Sequence, residues 1–282
     1  MKKSLTMKQR RILSAVFWGI ILTVMFLICV YPIIWMFLGS LKTSGEFYTN
    51  IWGLPDTAQF VNYLNAWNEG QLGQKFINSL IVTGGSLLIL IPVNCCAAYA
   101  IARLRFRHRT AIYFLLLLGI MIPSGVLGIP TFTVAMKLGL LNSHFGLMLI
   151  YAAQSISMGI FIMRSFFISL PKELEEAAMI DGCSRFGGFV RVILPLTKPG
   201  IMTQVIFNGL TIWNEYFMAN IILTKPELKT LPLALANFTG KHSTDYPTLF
   251  AALAIATIPV VVTFILAQKS FIQGISAGSV KG

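Results

Sequence analysis

Charged side chains are scarce in this sequence, and acidic ones are the scarcest. Only 11% of the 282 residues are charged, and 10 Asp and Glu residues stand against 22 Lys and Arg residues. Soluble domains carry roughly 25% charged residues, whereas this chain is 56% hydrophobic. An ordinary soluble fold is therefore excluded, and the composition indicates a membrane protein.

Several chemical motifs are also missing. No Gly-x-x-x-x-Gly-Lys-Ser/Thr phosphate loop occurs, so the chain is not expected to bind or hydrolyse ATP. The few cysteines and histidines lack the spacing of a metal or redox site, and no catalytic constellation collects at one membrane face. We therefore expect no cofactor and no metal, and a membrane enzyme such as a lipid-modifying transferase is disfavoured.

Long apolar windows predict the fold. A bilayer core about 30 Å thick is crossed by about 20 apolar helical residues. Five uncharged windows reach that size, at residues 12–38, 76–102, 110–136, 138–163 and 248–268, and a sixth at 199–223 contains only Glu215. The first window is too long for a secretory signal and lacks a cleavage pattern, so we expect it to be retained. These windows predict an all-α membrane protein with six transmembrane helices.

Basic residues predict the orientation, because they stay on the cytoplasmic side of short loops. Most of the 22 Lys and Arg residues fall in the tails 1–11 and 269–282 and in the connections 103–109 and 164–198. Both termini are therefore expected in the cytoplasm. RNA binding by the basic connection is the alternative, but aromatic interleaving is missing there, and we expect no nucleic-acid partner.

The connection at residues 39–75 is predicted to be external. It is long and rich in aromatic residues, namely Phe47, Tyr48, Trp52, Phe60, Tyr63 and Trp67. Aromatic residues near a membrane boundary are commonly interfacial anchors. A docking surface for an external protein is the alternative.

The connection at residues 164–198 is too polar to span a membrane. Pro171 suits a first helical position, and Glu173, Glu175 and Glu176 complement the positive end of the helix that follows. Gly182 is a natural break, because glycine tolerates the left-handed conformation that ends helices. A second amphipathic stretch is expected to end at Pro195. The pattern predicts two short helices with a bend at the cytoplasmic surface.

A spaced motif lies in this connection. Glu176, Ala177 and Ala178 are followed after three residues by Gly182, and after nine more by Val-Ile-Leu-Pro at 192–195. This spacing resembles the Glu-Ala-Ala signature of ABC importer permeases, with Val in place of Ile. The segments FINSLIV, AAYAIARLRF, MIPSGVLGIP, LGLLNS, WNEYF, TLPLAL and AGSVKG resemble the carbohydrate-type permeases in order. The terminal AGSVKG especially resembles maltose-type, oligosaccharide and glycerol-phosphate importers.

The resemblance implies an assembly. Such permeases pair with an unlike sister permease and work with two ATPase subunits and an external sugar-binding protein. The core at 76–268 would form half of the translocation path, and the bent helix pair would seat in a cleft of the ATPase. The residues that the resemblance assigns to coupling are Glu176, Ala177, Ala178, Asp181, Gly182, Leu194 and Pro195. A merely solvated linker is the alternative.

The sixth window carries the one intramembrane acid. Gln204, Asn208, Thr211 and Glu215 are spaced four, three and four apart, which predicts one helix face. An acid at mid-membrane costs about 3 kcal/mol, so Glu215 should face the bundle interior or a wet cavity. The candidate path residues also include Trp213, Asn214 and Tyr216, with Trp213 and Tyr216 on another face. Hydrogen bonding between helices is the alternative role.

Two features bear on motion and on the source of energy. Pro92 lies inside the second window, and Pro123, Gly125, Gly128 and Pro130 interrupt the third, as hinges or for packing. A gradient-driven secondary transporter is disfavoured, because a paired intramembrane charge and an inverted repeat are missing. Another small solute as cargo stays open.

Overall fold

The computed structural model describes residues 7–69, 71–238 and 245–279. Every regular element in these ranges is helical, as the sequence predicts. The α-helices are α1 (Met7–Ser40), α2 (Ser44–Thr49), α3 (Val61–Glu69), α4 (Leu72–Arg103), α5 (Arg109–Met121), α6 (Gly128–Lys137), α7 (His144–Ser169), α8 (Glu173–Ile180), α9 (Arg185–Gly188), α10 (Leu194–Leu196), α11 (Lys198–Trp213), α12 (Phe217–Ile222), α13 (Leu231–Asn237) and α14 (Tyr246–Ser279). A π-helical turn at Phe189–Ile193 and a 3₁₀ turn at Pro226–Leu228 complete the set.

Four helices of the described chain are long and apolar enough to cross a bilayer. They comprise Leu13–Ser40 of α1, all of α4 and α7, and Tyr246–Leu266 of α14. The first, second and last predicted windows lie inside the full helices α1, α4 and α14. The fourth window begins too early, because the turn at Gly139 and Asn142, both with positive φ, precedes α7. Residues 1–6, His242 and the last three residues of AGSVKG lie outside the described residues.

The third predicted window is not one helix. α5 ends at Met121, and α6 begins only at Gly128. Ile122 is extended, with φ −86° and ψ 118°, because a residue that precedes proline is driven out of the helical region. The interruption predicted at Pro123 is therefore confirmed, and the window 110–136 is shared between α5 and α6.

The sixth predicted window is also broken. α11 ends at Trp213, the next three residues are not helical, and α12 starts at Phe217. The prediction of one continuous helix over 199–223 is therefore wrong. Glu215 lies in the break, so it shares no helix face with Gln204 and Asn208.

The described chain divides into two compact units. The smaller unit comprises residues 7–69, Phe238 and 245–255, and the larger comprises 71–237 and 256–279. In the smaller unit, Phe47 stacks on Tyr246 with ring centroids 5.2 Å apart, and Trp35 meets Phe250 edge-on at 5.0 Å. Part of the predicted external connection is thus helical and packed.

A network of side-chain to backbone hydrogen bonds holds the start of that connection. The Lys42 ammonium is buried and donates to the backbone carbonyls of Asn50 and Ile51. The Asn62 amide donates to the carbonyls of Ser40 and Lys42, each at 2.8 Å. A buried cation needs such acceptors, so this segment has a specific fold.

The core of the larger unit forms around α4 and α7. One apolar cluster surrounds Val82, Leu147 and Ile222. The second cluster lies towards the C-terminal ends of both helices and includes Tyr99, Phe167, Phe189 and Ile193. Because Phe189 and Ile193 come from the π-helical turn, this second cluster fixes the connection between α7 and α11 to the bundle.

Candidate functional site

The connection at residues 170–197, here called the elbow, joins α7 to α11. α8 begins at Glu173, two residues after Pro171, so the predicted first helical position for Pro171 is wrong. Acidic residues fill the first turn of α8, where they complement the helix dipole. Gly182 has φ +83° with no neighbour crowding its Cβ position, so the left-handed backbone is what requires glycine here. The predicted break at Gly182 is confirmed.

The second half of the elbow starts with a cap. The Ser184 hydroxyl accepts a hydrogen bond from the Gly187 N–H at 3.1 Å, and α9 follows. The chain then stays helical through Leu196, so the predicted end at Pro195 is wrong. Proline is tolerated because it stands in the first turn of α10, after a π-helical turn in which the Leu194 N–H donates to the Phe189 carbonyl.

A partly buried ion pair fastens the elbow to α4. Arg103 Nε lies 3.1 Å from Glu175 Oε1, and Arg103 Nη2 donates to the Leu170 carbonyl at 2.6 Å. The Tyr99 hydroxyl reaches the other Glu175 oxygen at 3.4 Å, and its ring lies 4.4 Å from that of Phe189. Sequence reasoning missed Glu175 and Arg103 as partners, because they were read only as a helix-start acid and a cytoplasmic charge.

The exposed side of the elbow carries most of the residues predicted for coupling. Glu176, Ala177, Asp181, Gly182 and Pro195 are exposed, and Leu194 is partly buried. Ala178 is buried against Gly188. A Cβ atom added to Gly188 would lie 3.5 Å from the Ala178 Cβ atom. Ala178 therefore permits close packing within the elbow.

Two large apolar side chains were missed by sequence reasoning. Ile180 is 86% exposed and Phe186 is 71% exposed, on either side of the bend at Gly182. The sequence could have indicated them, because both are large apolar residues in an otherwise polar connection. Large apolar and aromatic side chains are typical of the centres of protein contacts, so the exposed Ile180 and Phe186 suit such a contact.

Glu215 is a cap and not a member of a helix stripe. One carboxylate oxygen accepts from the Met218 N–H at 2.8 Å, and the other from the Ala219 N–H at 3.1 Å. The Tyr151 hydroxyl of α7 donates to the same carboxylate at 2.5 Å. The carboxylate therefore satisfies two N–H groups in the first turn of α12 and ties the break to α7. Its predicted inward orientation agrees with these contacts.

Gln204 and Asn208 are buried inside the chain. Asn94 of α4 donates to Gln204 Oε1 at 2.9 Å. A Cβ on Gly159 would lie 1.7 Å from Asn94 Nδ2, so glycine is needed for α7 to approach. In the described chain, Asn94 Oδ1, Gln204 Nε2 and Asn208 Nδ2 have no hydrogen-bond partner. For Gln204 this geometry favours the interhelical role.

The remaining candidate path residues separate by exposure. The Trp213 indole donates to the Ala256 carbonyl at 3.2 Å, so it packs within the bundle. Thr211 and Asn214 are exposed, and each donates to its own helix backbone. Tyr216 is 44% exposed and lies outside α11, so the helix face predicted for it with Trp213 is wrong.

Comparisons with known proteins agree with this architecture. Residues 94–276 match the family described as "Binding-protein-dependent transport system inner membrane component". The chain is 33% identical to the diacetylchitobiose uptake system permease of Streptomyces coelicolor, over 89% of this chain and 84% of the relative. It is 36% identical to the melibiose/raffinose/stachyose import permease of Bacillus subtilis, over 86% and 88%.

Solved structures show the same fold. A chain of a bacterial ABC transporter involved in the import of the acidic polysaccharide alginate superposes with a TM-score of 0.82. The identity is 23%, and the match covers 96% of this chain and all of the other. A second alginate transporter structure, in complex with an alginate pentasaccharide-bound periplasmic protein, gives a TM-score of 0.67 at 20% identity, over 92% of this chain and 93% of the other.

Proposed function

This chain belongs to the family of binding-protein-dependent transport system inner membrane components, and on that premise we propose that it is a permease subunit of an ATP-driven carbohydrate importer. The family membership confirms the importer permease predicted from the Glu-Ala-Ala motif. The protein is a multi-pass membrane protein that functions as a transport subunit, and it is not an enzyme. The proposal depends chiefly on similarity to sugar permeases over nearly the whole chain.

The cargo class follows from those relatives. Their names specify diacetylchitobiose and the melibiose, raffinose and stachyose group, which are oligosaccharides. We propose an oligosaccharide delivered by an external binding protein. A screen of sugars for equilibrium binding to the cognate binding protein tests this. Binding of a non-carbohydrate solute alone would contradict the proposal.

Six membrane crossings are proposed, with both termini in the cytoplasm. α1, α4, α7 and α14 supply four of them. The α5–α6 pair and the α11–α12 pair would supply the other two, each interrupted at the break described above. A break at membrane depth is tolerated where it is packed in protein or lines a cavity. The core would extend over 76–268, with the elbow in the cytoplasm.

The elbow is proposed to couple the chain to a separate ATPase subunit. Its exposed face combines Glu176 and Ala177 with Ile180 and Phe186, and its inner face is fastened to α4 through Arg103. A contact surface held in this way transmits displacement to the bundle and does not bend independently of it. A sister permease is proposed to complete the path.

The lining of that path is proposed to include Asn214 and Tyr216, next to the break between α11 and α12. Both are exposed in the single chain and so are available to a cargo or to the sister subunit. Aromatic rings beside amide groups suit sugars. Gln204, Asn208 and Glu215 would hold the helices that carry this surface.

Vanadate sensitivity tests the source of energy. In proteoliposomes with the permease pair, ATPase and binding protein, we expect uptake that requires internal ATP and stops with vanadate. An imposed ion gradient without ATP should drive none. Uptake by the chain alone, with no companion polypeptide, would overturn the proposal and support a secondary transporter.

A further inference from the structure

A cationic cavity lies where α4 ends and α5 begins. Its volume is about 600 Å³, and its lining includes Arg103, Arg105, His108, Arg109 and Lys172. Cavities of this size hold small organic ligands or head groups. The chemistry of the lining selects an anion.

Most of that positive charge is not neutralised within the chain. The Arg103 guanidinium is occupied by Glu175 and by the Leu170 carbonyl. In the part of the chain that the structure describes, this is the only ion pair, so Arg105, Arg109 and Lys172 have no carboxylate partner. Charge-assisted hydrogen bonds from such groups bind phosphate oxygens strongly.

The start of α5 adds to the same field. His108 precedes this 13-residue helix in a left-handed conformation, and its side chain does not cap the helix. The first N–H groups and the positive end of the dipole therefore stay available beside the arginines. The helix terminus thus strengthens a site that the cations already define.

The surface next to the cavity is apolar. α5 has no buried residue, and Phe114, Leu115 and Leu118 are 61%, 68% and 53% exposed. One short helix thus has a cationic end and an apolar flank. A soluble anion would use only the cavity, whereas a molecule with an anionic head and an apolar tail would use both.

We propose that the cavity and the flank of α5 bind one anionic phospholipid. Arg105, Arg109 and Lys172 hold the headgroup phosphate, and an acyl chain lies along Phe114 and Leu118. Basic pockets between transmembrane helices recognise anionic head groups in this way. The site is separate from cargo transport, and it adjoins the elbow through Lys172 and Arg103.

Lipid retention tests the site in the full-length chain purified with its partner subunits. Native mass spectrometry would compare phosphatidylglycerol with phosphatidylcholine of the same acyl chains. Each arginine removed should weaken phosphatidylglycerol binding about five-fold, and R105Q/R109Q about 25-fold. R105K/R109K should retain most of the binding. R107Q removes the same charge from an exposed residue that does not line the cavity, so it should change little.

Three results would overturn the proposal. They are equal retention of both lipids, an equal loss in R107Q, and displacement of the lipid by inorganic phosphate, which would assign the cavity to a soluble anion. If R105Q/R109Q fails to assemble, R105Q alone decides, because the Arg105 side chain makes no hydrogen bond within the described chain. A wild-type level of phosphatidylglycerol on R105Q would then also contradict the site.

Discussion

Asn94, Gly159 and Gln204 bring α4, α7 and α11 together through one polar contact. The Asn94–Gln204 hydrogen bond is fully buried, and Gly159 leaves the space in which Asn94 lies. Hydrogen bonds between membrane helices contribute about 0.6 to 2 kcal/mol, and small residues allow close backbone approach. Close packing of the three helices therefore requires both the glycine at position 159 and the Asn94–Gln204 hydrogen bond.

Gly159→Ala is expected to destabilise the bundle. Its methyl group would overlap the Asn94 amide, and overpacking typically costs about 1–3 kcal/mol. Thermal unfolding in detergent and the amount in the membrane should both fall. Gly84→Ala on α4 is the matched control, because nothing lies within 4 Å of that Cβ position. Equal stability of the two variants would contradict the described packing.

Glu215→Gln is expected to lower uptake more than expression. The substitution removes the charge that accepts from Tyr151 and from two α12 amides, and hydrogen bonds to charged groups contribute about 1.5–3 kcal/mol. Tyr151→Phe removes only one of these bonds, so its effect should be smaller. Uptake per molecule in the membrane is the measurement.

Thr23→Val is the control for the Glu215 series. The Thr23 hydroxyl on α1 is exposed and bonds its own helix backbone, so the loss should be small. Unchanged uptake per molecule in Glu215→Gln would leave the carboxylate with a packing role only.

At the scale of elements, the elbow is a bent unit with a fixed inner face. The bend requires the left-handed backbone of Gly182, and the inner face requires the Arg103–Glu175 pair and the Phe189 ring. The outer face is left free for a partner. Bending and attachment thus depend on different residues, so they can be disturbed separately.

Gly182→Val and Gly182→Asn separate conformation from side-chain chemistry. The left-handed backbone costs most residues about 1–2 kcal/mol, whereas asparagine tolerates it. Valine should reduce coupling between ATP hydrolysis and uptake strongly, and asparagine weakly, with the chain inserted in both. Hydrolysis per sugar imported is the measurement. Gly182→Asp also adds a negative charge next to the exposed acids Glu176 and Asp181, so it should leave the chain inserted but uncoupled.

The coupling prediction has a clear contradictory result. If Gly182→Asp transports normally, or if valine and asparagine act alike, the elbow does not transmit motion through this bend.

Prediction from the sequence succeeded where neighbouring residues determine the structure. It failed where residues far apart in the chain determine it. Apolar runs located α1, α4, α7 and α14, and Pro123 located one break. The break at Glu215 escaped prediction, because the Tyr151 hydroxyl that also holds the carboxylate comes from α7. The Arg103–Glu175 pair escaped for the same reason, since the two residues meet only after α7 folds back on α4.

At the scale of the whole molecule, charge distribution and helix count make one topology testable. The elbow and the α4–α5 connection are expected on one side of the membrane. The connection around Lys225 is expected on the other. Four helices of the described chain are long and apolar enough to cross the membrane. The number of crossings is six only if the α5–α6 pair and the α11–α12 pair each cross it once.

Cysteine labelling in whole cells tests the count. Arg107→Cys and Lys225→Cys place thiols at exposed positions in two different connections. The four natural cysteines would first be replaced. An impermeant reagent should label position 225 in intact cells and position 107 only after lysis. Labelling of both positions from outside would contradict the proposed orientation.

The contact between Gly159 and Asn94 also has an evolutionary consequence. A larger residue at 159 can be accommodated only if position 94 shrinks, and the bond to Gln204 then loses its donor. Lineages should therefore exchange these three positions as a set, through intermediates of lower fitness. Aligned sequences in which position 159 drifts alone would show that the bundle has another way to close.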